Sequence, residues 1–117
     1  MYLRLSALCL VLAAPACAMT PRGEKIEQVP VTYRCAGGMS VPVIFVNPPN
    51  ADAGYAAAVI EGRLMVLPLV ISASGARYRG DTPAPGYQIW VKGDEATITK
   101  GPEDADVPVA EGCSTSG

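Results

Sequence analysis

The run Leu64–Ile71 (LMVLPLVI) changes abruptly into the small residues of Ser72–Tyr78 (SASGARY). The apolar run predicts a β-strand with apolar side chains on both faces. The serine, alanine and glycine residues after it predict a thin, protruding loop, because glycine permits backbone angles closed to other residues and serine adds short hydrogen-bonding groups. A second distinctive stretch, Trp90–Ala96 (WVKGDEA), follows one hairpin later. Considered alone, each stretch is also compatible with a plain turn between strands.

On both sides of this loop, the sequence predicts short strands separated by turns. Gly37–Gly38, Asn47–Asn50 and Glu61–Gly62 are turn signals. No stretch shows a convincing 3.6-residue apolar period, and eleven prolines and twelve glycines oppose long helices. Strands of this length and spacing predict an all-β antiparallel barrel or sandwich. Eight strands are expected, which begin at or near Val31, Met39, Tyr55, Arg63, Tyr78, Tyr87, Ala96 and Val107.

The first 18 residues have the features of a secretory signal peptide. Arg4 supplies a positive charge, Leu5–Ala14 is an apolar run, and Ala16–Ala18 is an A-x-A cleavage signal. The apolar run is too short to cross a bilayer as a helix. Residues 1–18 are therefore expected to direct export, and the folded part is expected to be one domain of residues 31–113.

Two cleavage sites remain open. A cut after Ala18 predicts a soluble periplasmic protein that starts at Met19. A cut before Cys17 would instead give an outer-membrane lipoprotein with its lipid on Cys17, although Ala14 stands where that signal usually has Leu, Ile or Val. In either case the polar segment Met19–Pro30 predicts a flexible lead-in, and residues 114–117 a short tail.

Cys35 and Cys113 are the two cysteines left if cleavage follows Ala18. An exported chain in an oxidising compartment is expected to pair them, with two separate thiols as the alternative. In the chain-entropy model, a disulfide that closes such a long loop contributes roughly 4 kcal/mol to the free energy of unfolding. The chain has no histidine, so neither a metal site nor a cofactor is expected.

The charge of the mature chain is negative. Without Arg4 it has eight basic and eleven acidic residues, and no basic residue follows Lys100. Such an acidic segment is either simply solvated or steers the protein towards a basic partner, which raises the association rate more than the affinity. The same sign argues against a nucleic-acid partner. The late acidic residues are Glu103, Asp104, Asp106 and Glu111.

Enzymatic activity is not expected. A chain without histidine has no Ser-His or Cys-His nucleophile system. The carboxylates are scattered through turns without an obvious acid and base pair. A serine–lysine arrangement of Ser74 and Lys92 is conceivable, since some hydrolases use one.

Four signals in order resemble one family. They are YRC at Tyr33–Cys35, SASGARY, WVKGDEA and the lone Cys113 near the end. This set resembles the membrane-bound lysozyme inhibitors of c-type lysozyme and their soluble periplasmic relatives, over most of the mature chain. The resemblance implies a small eight-stranded antiparallel β-barrel, whose interior is filled by side chains with little room for a ligand.

The resemblance also implies the partner and the site. In the family, a serine and a lysine reach the catalytic glutamate and aspartate of a c-type lysozyme, which identifies Ser74 and Lys92 here. Gly75 would let the loop backbone approach closely, and Tyr78 is the tyrosine of the S-G-x-x-Y motif. The implied function is to plug the cleft of a host's or competitor's lysozyme and so protect peptidoglycan. The alternative is a small envelope barrel with a structural or ligand-binding role and no inhibitory activity.

Residues around these motifs carry further expectations. Tyr78 is expected to support the loop with its ring and hydroxyl, and Trp90 to belong to the core. Arg77 could pair with Asp81 or Asp94. The segment Arg79–Tyr87 is about four residues longer than the usual hairpin of the family, so it could add contacts or shift Lys92 relative to Ser74.

Overall fold

The computed structural model describes residues 25–49 and 53–115, in which eight antiparallel strands form a closed barrel in chain order. The predicted all-β barrel is confirmed. A 3₁₀ turn at Ala36–Gly38 joins the first two strands. Across these two ranges, no helix has the length and apolar character needed to cross a membrane. The strands are β1 (Glu27–Arg34), β2 (Ser40–Asn47), β3 (Tyr55–Ile60), β4 (Arg63–Val70), β5 (Ala76–Gly80), β6 (Tyr87–Lys92), β7 (Glu95–Lys100) and β8 (Val107–Ser114).

Alternation along the strands fills the barrel with side chains. On β4, Met65 and Leu67 are buried, whereas the residues between and before them, Leu64 and Val66, are exposed. Successive side chains of a strand point to opposite faces, so the uniformly apolar run divides into an inner and an outer set. The largest fully buried side chains are Tyr33, Val43, Ile60, Leu67, Ile89, Ile98 and Cys113.

The first strand starts earlier than the sequence suggested. Residues Glu27–Pro30 belong to β1 and pair with Ile44–Asn47 of β2, so the flexible lead-in predicted as far as Pro30 is wrong over its last four residues. These residues lack a periodic apolar signal because all four are exposed and contribute backbone pairing rather than core. At the other end, β8 extends through Ser114 into the predicted tail. The predicted signal peptide and Cys17 lie outside the described residues.

The barrel closes across a narrow seam. β1 pairs with β2 over eight residues, but β1 meets β8 through a single residue pair, Arg34 with Ser114. The predicted disulfide is present at this seam: Cys35 follows β1 directly and joins Cys113 of β8, 78 residues away, with the two Cα atoms 3.9 Å apart. A covalent bond therefore supplements the shortest pairing in the barrel.

Replacing both cysteines, as Cys35→Ser/Cys113→Ser, should lower the free energy of unfolding by about 2–5 kcal/mol, because the long loop becomes unrestricted in the unfolded chain. Urea unfolding followed by circular dichroism measures the change. The parent protein in reductant serves as the control and should behave like the double variant. An unchanged urea midpoint would show that the strand pairing holds the seam without the disulfide.

Candidate functional site

The loop Ser72–Gly75 and Lys92 lie at the same edge of the barrel. The loop leads into β5, and the register of β5 with β6 pairs Ala76 with Val91. Gly75 immediately precedes Ala76 in the chain, and Lys92 immediately follows Val91, so both lie at the same end of the β5–β6 hairpin. The strand pairing thus brings together two motifs that are 17 residues apart in the sequence, from Gly75 to Lys92. Ser74 and Lys92 are both exposed.

Hydrogen bonds to one carbonyl hold the loop in shape. The indole Nε1–H of Trp90 donates to the carbonyl oxygen of Ser74 at 2.9 Å, and the hydroxyl of Ser72 donates to the same oxygen at 2.6 Å. Both bonds end on the backbone of Ser74, which is an exposed residue, so neither occupies its hydroxyl.

Gly75 allows the loop to lie against β6. Its φ is +68°, in the left-handed region that glycine adopts without steric cost. A Cβ atom at this position would be 2.3 Å from the carbonyl oxygen of Val91 and 2.9 Å from Cγ of Lys92. The close approach of the two backbones therefore requires a residue without a side chain.

Lys92 rests on the tryptophan that holds the loop. Its Nζ lies 4.6 Å from the centroid of the Trp90 ring, and the guanidinium carbon of Arg77 lies 5.9 Å from it. In the part of the chain that the structure describes, Lys92 makes no ion pair. Its ammonium therefore has no carboxylate oxygen within 4 Å in this part of the chain, although Glu95 lies opposite Lys92 in the register of β6 with β7.

Arg77 braces the base of the loop. It donates from Nη2 to the carbonyl oxygen of Ile71 at 3.0 Å and from Nη1 to Glu103 at 2.6 Å. The expected pairing of Arg77 with Asp81 or Asp94 is therefore wrong, because the loop between β7 and β8 brings Glu103 over β5. The hydrogen bond from Arg77, and then its charge, lower the pKa of Glu103.

Trp90 is not a core residue, so the expectation for it is also wrong. Ile89 and Val91 take the inward positions of β6, and Trp90 points outward and is half-buried beside Arg77 and Lys92. The sequence carried a signal for this arrangement, since Trp90 and Lys92 are two residues apart on a strand and must share a face.

Tyr78 lies beneath the loop and not at its surface. Its side chain is buried in the core, with its ring centroid 5.3 Å from that of Phe45, and burial raises the pKa of its hydroxyl. Within residues 25–49 and 53–115, the Tyr78 hydroxyl does not make the expected hydrogen bond to nearby backbone. Tyr78 therefore contributes packing below the edge.

The longer hairpin loop lies away from this edge. Gly80 pairs with Tyr87 at one end of the β5–β6 hairpin, and Ala76 pairs with Val91 at the other. The residues between Gly80 and Tyr87 are therefore separated from Gly75 and Lys92 by the full length of β5, about 13 Å at the usual rise per residue. A longer loop at that end does not change the register that sets Ser74 beside Lys92.

Among the described residues, no group of three or more histidine, cysteine, aspartate or glutamate side chains could hold a metal ion. The groups that this edge offers to another molecule are a hydroxyl and an ammonium. Both are hydrogen-bond donors suited to an acceptor such as a carboxylate.

Comparisons with known proteins identify the class of this barrel. Residues 33–106 match the model of a family described as membrane-bound lysozyme-inhibitor of c-type lysozyme. The chain belongs to this family of lysozyme inhibitors, as the motifs predicted.

Two relatives agree with this assignment. The membrane-bound lysozyme inhibitor of C-type lysozyme from Cupriavidus necator is 36% identical over 101 residues, which cover 81% of this chain and 76% of the relative. The crystal structure of PliC-St, a periplasmic lysozyme inhibitor of C-type lysozyme from Salmonella typhimurium, matches with a TM-score of 0.65 and 29% identity. That match covers 76% of this chain and 98% of PliC-St.

The contact at Gly75 predicts a difference between two glycines. Gly75 and Gly93 have φ values of +68° and +60°, but a Cβ atom at Gly93 would meet nothing within 4 Å. Either Gly→Ala change places a residue with a Cβ atom in the left-handed region, which costs about 1–2 kcal/mol. Gly75→Ala should destabilise the protein by about 1–3 kcal/mol more, or displace the loop, because of the added overlap. Urea unfolding and the fluorescence of Trp90 measure the two outcomes, and identical behaviour of the variants would contradict the prediction.

The Arg77–Glu103 pair predicts a dependence of stability on acid pH. The pKa of Glu103 is lowered in the folded chain from its ordinary value of 4.5. The pair therefore contributes stability above that value, and this contribution is lost as the pH falls through the folded-state pKa. Glu103→Gln should make the free energy of unfolding fall less steeply below about pH 4.5. Urea unfolding across about pH 3 to 7 tests this, with Asp104→Asn as the neighbouring control, and equal slopes in the parent and Glu103→Gln would contradict it.

Proposed function

We propose that this protein inhibits a c-type lysozyme by inserting the Ser72–Gly75 loop and Lys92 into the enzyme's active-site cleft. Membership of the lysozyme-inhibitor family supports the partner. The observation that carries the mechanism is the presence of two exposed residues, Ser74 with its hydroxyl and Lys92 with an ammonium that makes no ion pair in the described chain, on one thin edge of the barrel.

The chemistry of the target explains why these two groups suit it. A lysozyme cleaves its sugar polymer with two carboxyl groups that face each other across a cleft. Lys92 supplies three N–H donors and a full charge, and Ser74 supplies a neutral O–H donor. A charge-assisted bond from an ammonium to a carboxylate is among the stronger hydrogen bonds in proteins. Occupation of both carboxyls would block the acid and the nucleophile together.

The fixed shape of the edge favours affinity. Trp90 and Ser72 already hold the carbonyl of Ser74, and Arg77 holds that of Ile71, so the loop is ordered by hydrogen bonds before a partner arrives. A binding loop that is already in its bound conformation avoids much of the ordering cost of association. The exposed acidic residues of the β7–β8 loop would in addition attract a basic lysozyme.

The proposed function is that of a binding protein and not that of an enzyme. Its relatives are named as inhibitors, and a chain without histidine has few ways to activate Ser74 as a nucleophile. Its place of action is the bacterial envelope, where relatives are named as membrane-bound or periplasmic. Cleavage after Ala18 would give the periplasmic form, and lipid on Cys17 the anchored one.

Lys92→Ala should weaken lysozyme binding more than Ser74→Ala. A hydrogen bond to a charged group contributes about 1.5–3 kcal/mol, against about 0.5–1.5 kcal/mol for a neutral bond. Lys92→Ala should therefore raise the dissociation constant about ten- to a hundredfold, and part of this loss would come from the lysozyme carboxylate that is left unpaired. The Lys92 effect should fade at low pH, as the partner carboxyl becomes protonated. Titration calorimetry against hen-type lysozyme, together with inhibition of cell-wall lysis, measures both variants.

Matched controls separate the site from general effects of charge and polarity. Lys100→Ala removes a lysine that is paired with Glu61 at the far end of β7, and Ser40→Ala removes an exposed serine on β2. Neither control should change the dissociation constant appreciably. If Ser74→Ala and Lys92→Ala both inhibit like the parent while remaining folded, the cleft-plugging mechanism is wrong.

A further inference from the structure

Trp90 contacts both parts of the proposed site, the Ser72–Gly75 loop and Lys92. Its indole N–H holds the carbonyl of Ser74 at 2.9 Å, and its ring lies 4.6 Å beneath the ammonium of Lys92. One side chain thus contacts both the loop from β4 to β5 and the end of β6. No other described residue makes a hydrogen bond to the loop and a cation–π contact to Lys92.

We propose that Trp90 is the positioning residue of the inhibitory site, which sets the separation of the Ser74 hydroxyl and the Lys92 ammonium before lysozyme binds. This inference rests on the proposed function and assigns a role to a residue that need not touch the enzyme. The N–H acts on Ser74 and the ring face acts on Lys92, so the two roles of the side chain can be separated by mutation.

The surroundings of Trp90 keep the indole from turning away. Arg77 pairs with Trp90 across the strands and its guanidinium lies 5.9 Å from the ring, while Arg77 itself is held by Glu103 and by the carbonyl of Ile71. The indole Nε1 would be 3.2 Å from a Cβ atom at Gly75, so the glycine allows the indole to approach the loop. Trp90 therefore has neighbours on its own strand, on β5 and in the Ser72–Gly75 loop, and the β7–β8 loop acts on it only through Arg77.

The contact with Lys92 orders the lysine without removing its charge. A cation over an aromatic face gains about 0.5–1 kcal/mol at an exposed site, far less than the ammonium would gain from a carboxylate partner. The ring therefore limits the rotamers of a long, flexible side chain, and the lysine can still exchange this contact for a carboxylate.

Two substitutions separate the roles. Trp90→Phe keeps an aromatic face and loses the N–H, so it should raise the dissociation constant for hen-type lysozyme about threefold to tenfold, the loss expected for one neutral hydrogen bond. In this background Ser74→Ala should cost less than about twofold, because the released loop no longer holds the hydroxyl in place. Lys92→Ala should keep most of its effect in Trp90→Phe and lose part of it in Trp90→Leu, which has no ring.

A spectroscopic measurement on the free protein distinguishes positioning from a general structural role. Trp90 is the only tryptophan of the chain, so all tryptophan emission reports on it. Lys92→Ala should change the emission of the free protein, because it removes a charge from the ring face. Lys100→Ala, at the opposite end of β7, should leave the emission unchanged. Thermal unfolding of each variant checks that the barrel remains folded.

The outcomes separate the two proposals. Suppose that Ser74→Ala and Lys92→Ala weaken binding. The positioning role is then wrong, and the cleft-plugging mechanism stands, if Trp90→Phe binds like the parent. The same holds if the Trp90→Phe/Ser74→Ala double variant raises the dissociation constant by the product of the two single effects. If neither Ser74→Ala nor Lys92→Ala weakens binding, both proposals fail. An emission that is insensitive to Lys92→Ala would also overturn the link between Trp90 and the lysine. Non-additive losses in the Trp90→Phe background, with the change in emission, support the inference.

Discussion

The closure of the barrel between β1 and β8 is the constraint on which the rest of the structure depends. The two strands share one residue pair, and the Cys35–Cys113 disulfide joins them beside it. Without closure, β1 and β8 would each have a free edge, and the core that both cover would open to solvent. The disulfide limits the unfolded chain more than it adds contacts to the folded one, which suits a domain of this size that has only a small core.

Closure matters to the functional edge because that edge has little core of its own. Residues 73–75 of the loop are exposed, and the conformation of the loop depends on β6 through Trp90 and on the packing of Gly75 against Val91. β6 in turn is paired along its length with β5 and β7 in the closed barrel. Rigidity is therefore transmitted from the barrel to the loop by strand register and a few hydrogen bonds, and not by burial of the loop itself.

The distribution of charge around the edge fits recognition of a basic enzyme whose cleft is acidic. The chain carries a net negative charge, yet the proposed contact point is a lysine without a carboxylate partner in the described chain. Arg77, beside it, is neutralised by Glu103 and acts as a brace. A protein with a net negative charge would approach a basic lysozyme favourably, and in the proposed complex the ammonium of Lys92 would be directed at the catalytic carboxylates.

Much of this protein could be predicted from its sequence. Turn residues and short apolar runs predicted eight short strands in an antiparallel barrel or sandwich, and the cysteine count predicted the disulfide, because these features act locally or through the export environment. The family resemblance selected the barrel. The motif pattern identified the family and singled out Ser74 and Lys92 as candidate binding residues. Three features needed the tertiary structure: strand pairing for Glu27–Pro30, the hydrogen bond from Trp90 to the loop, and the partner of Arg77. Each of them depends on a distant segment of the chain: β2 for Glu27–Pro30, Glu103 for Arg77, and the carbonyl of Ser74 for Trp90. Only the register of the closed sheet decides which distant groups come within hydrogen-bonding distance.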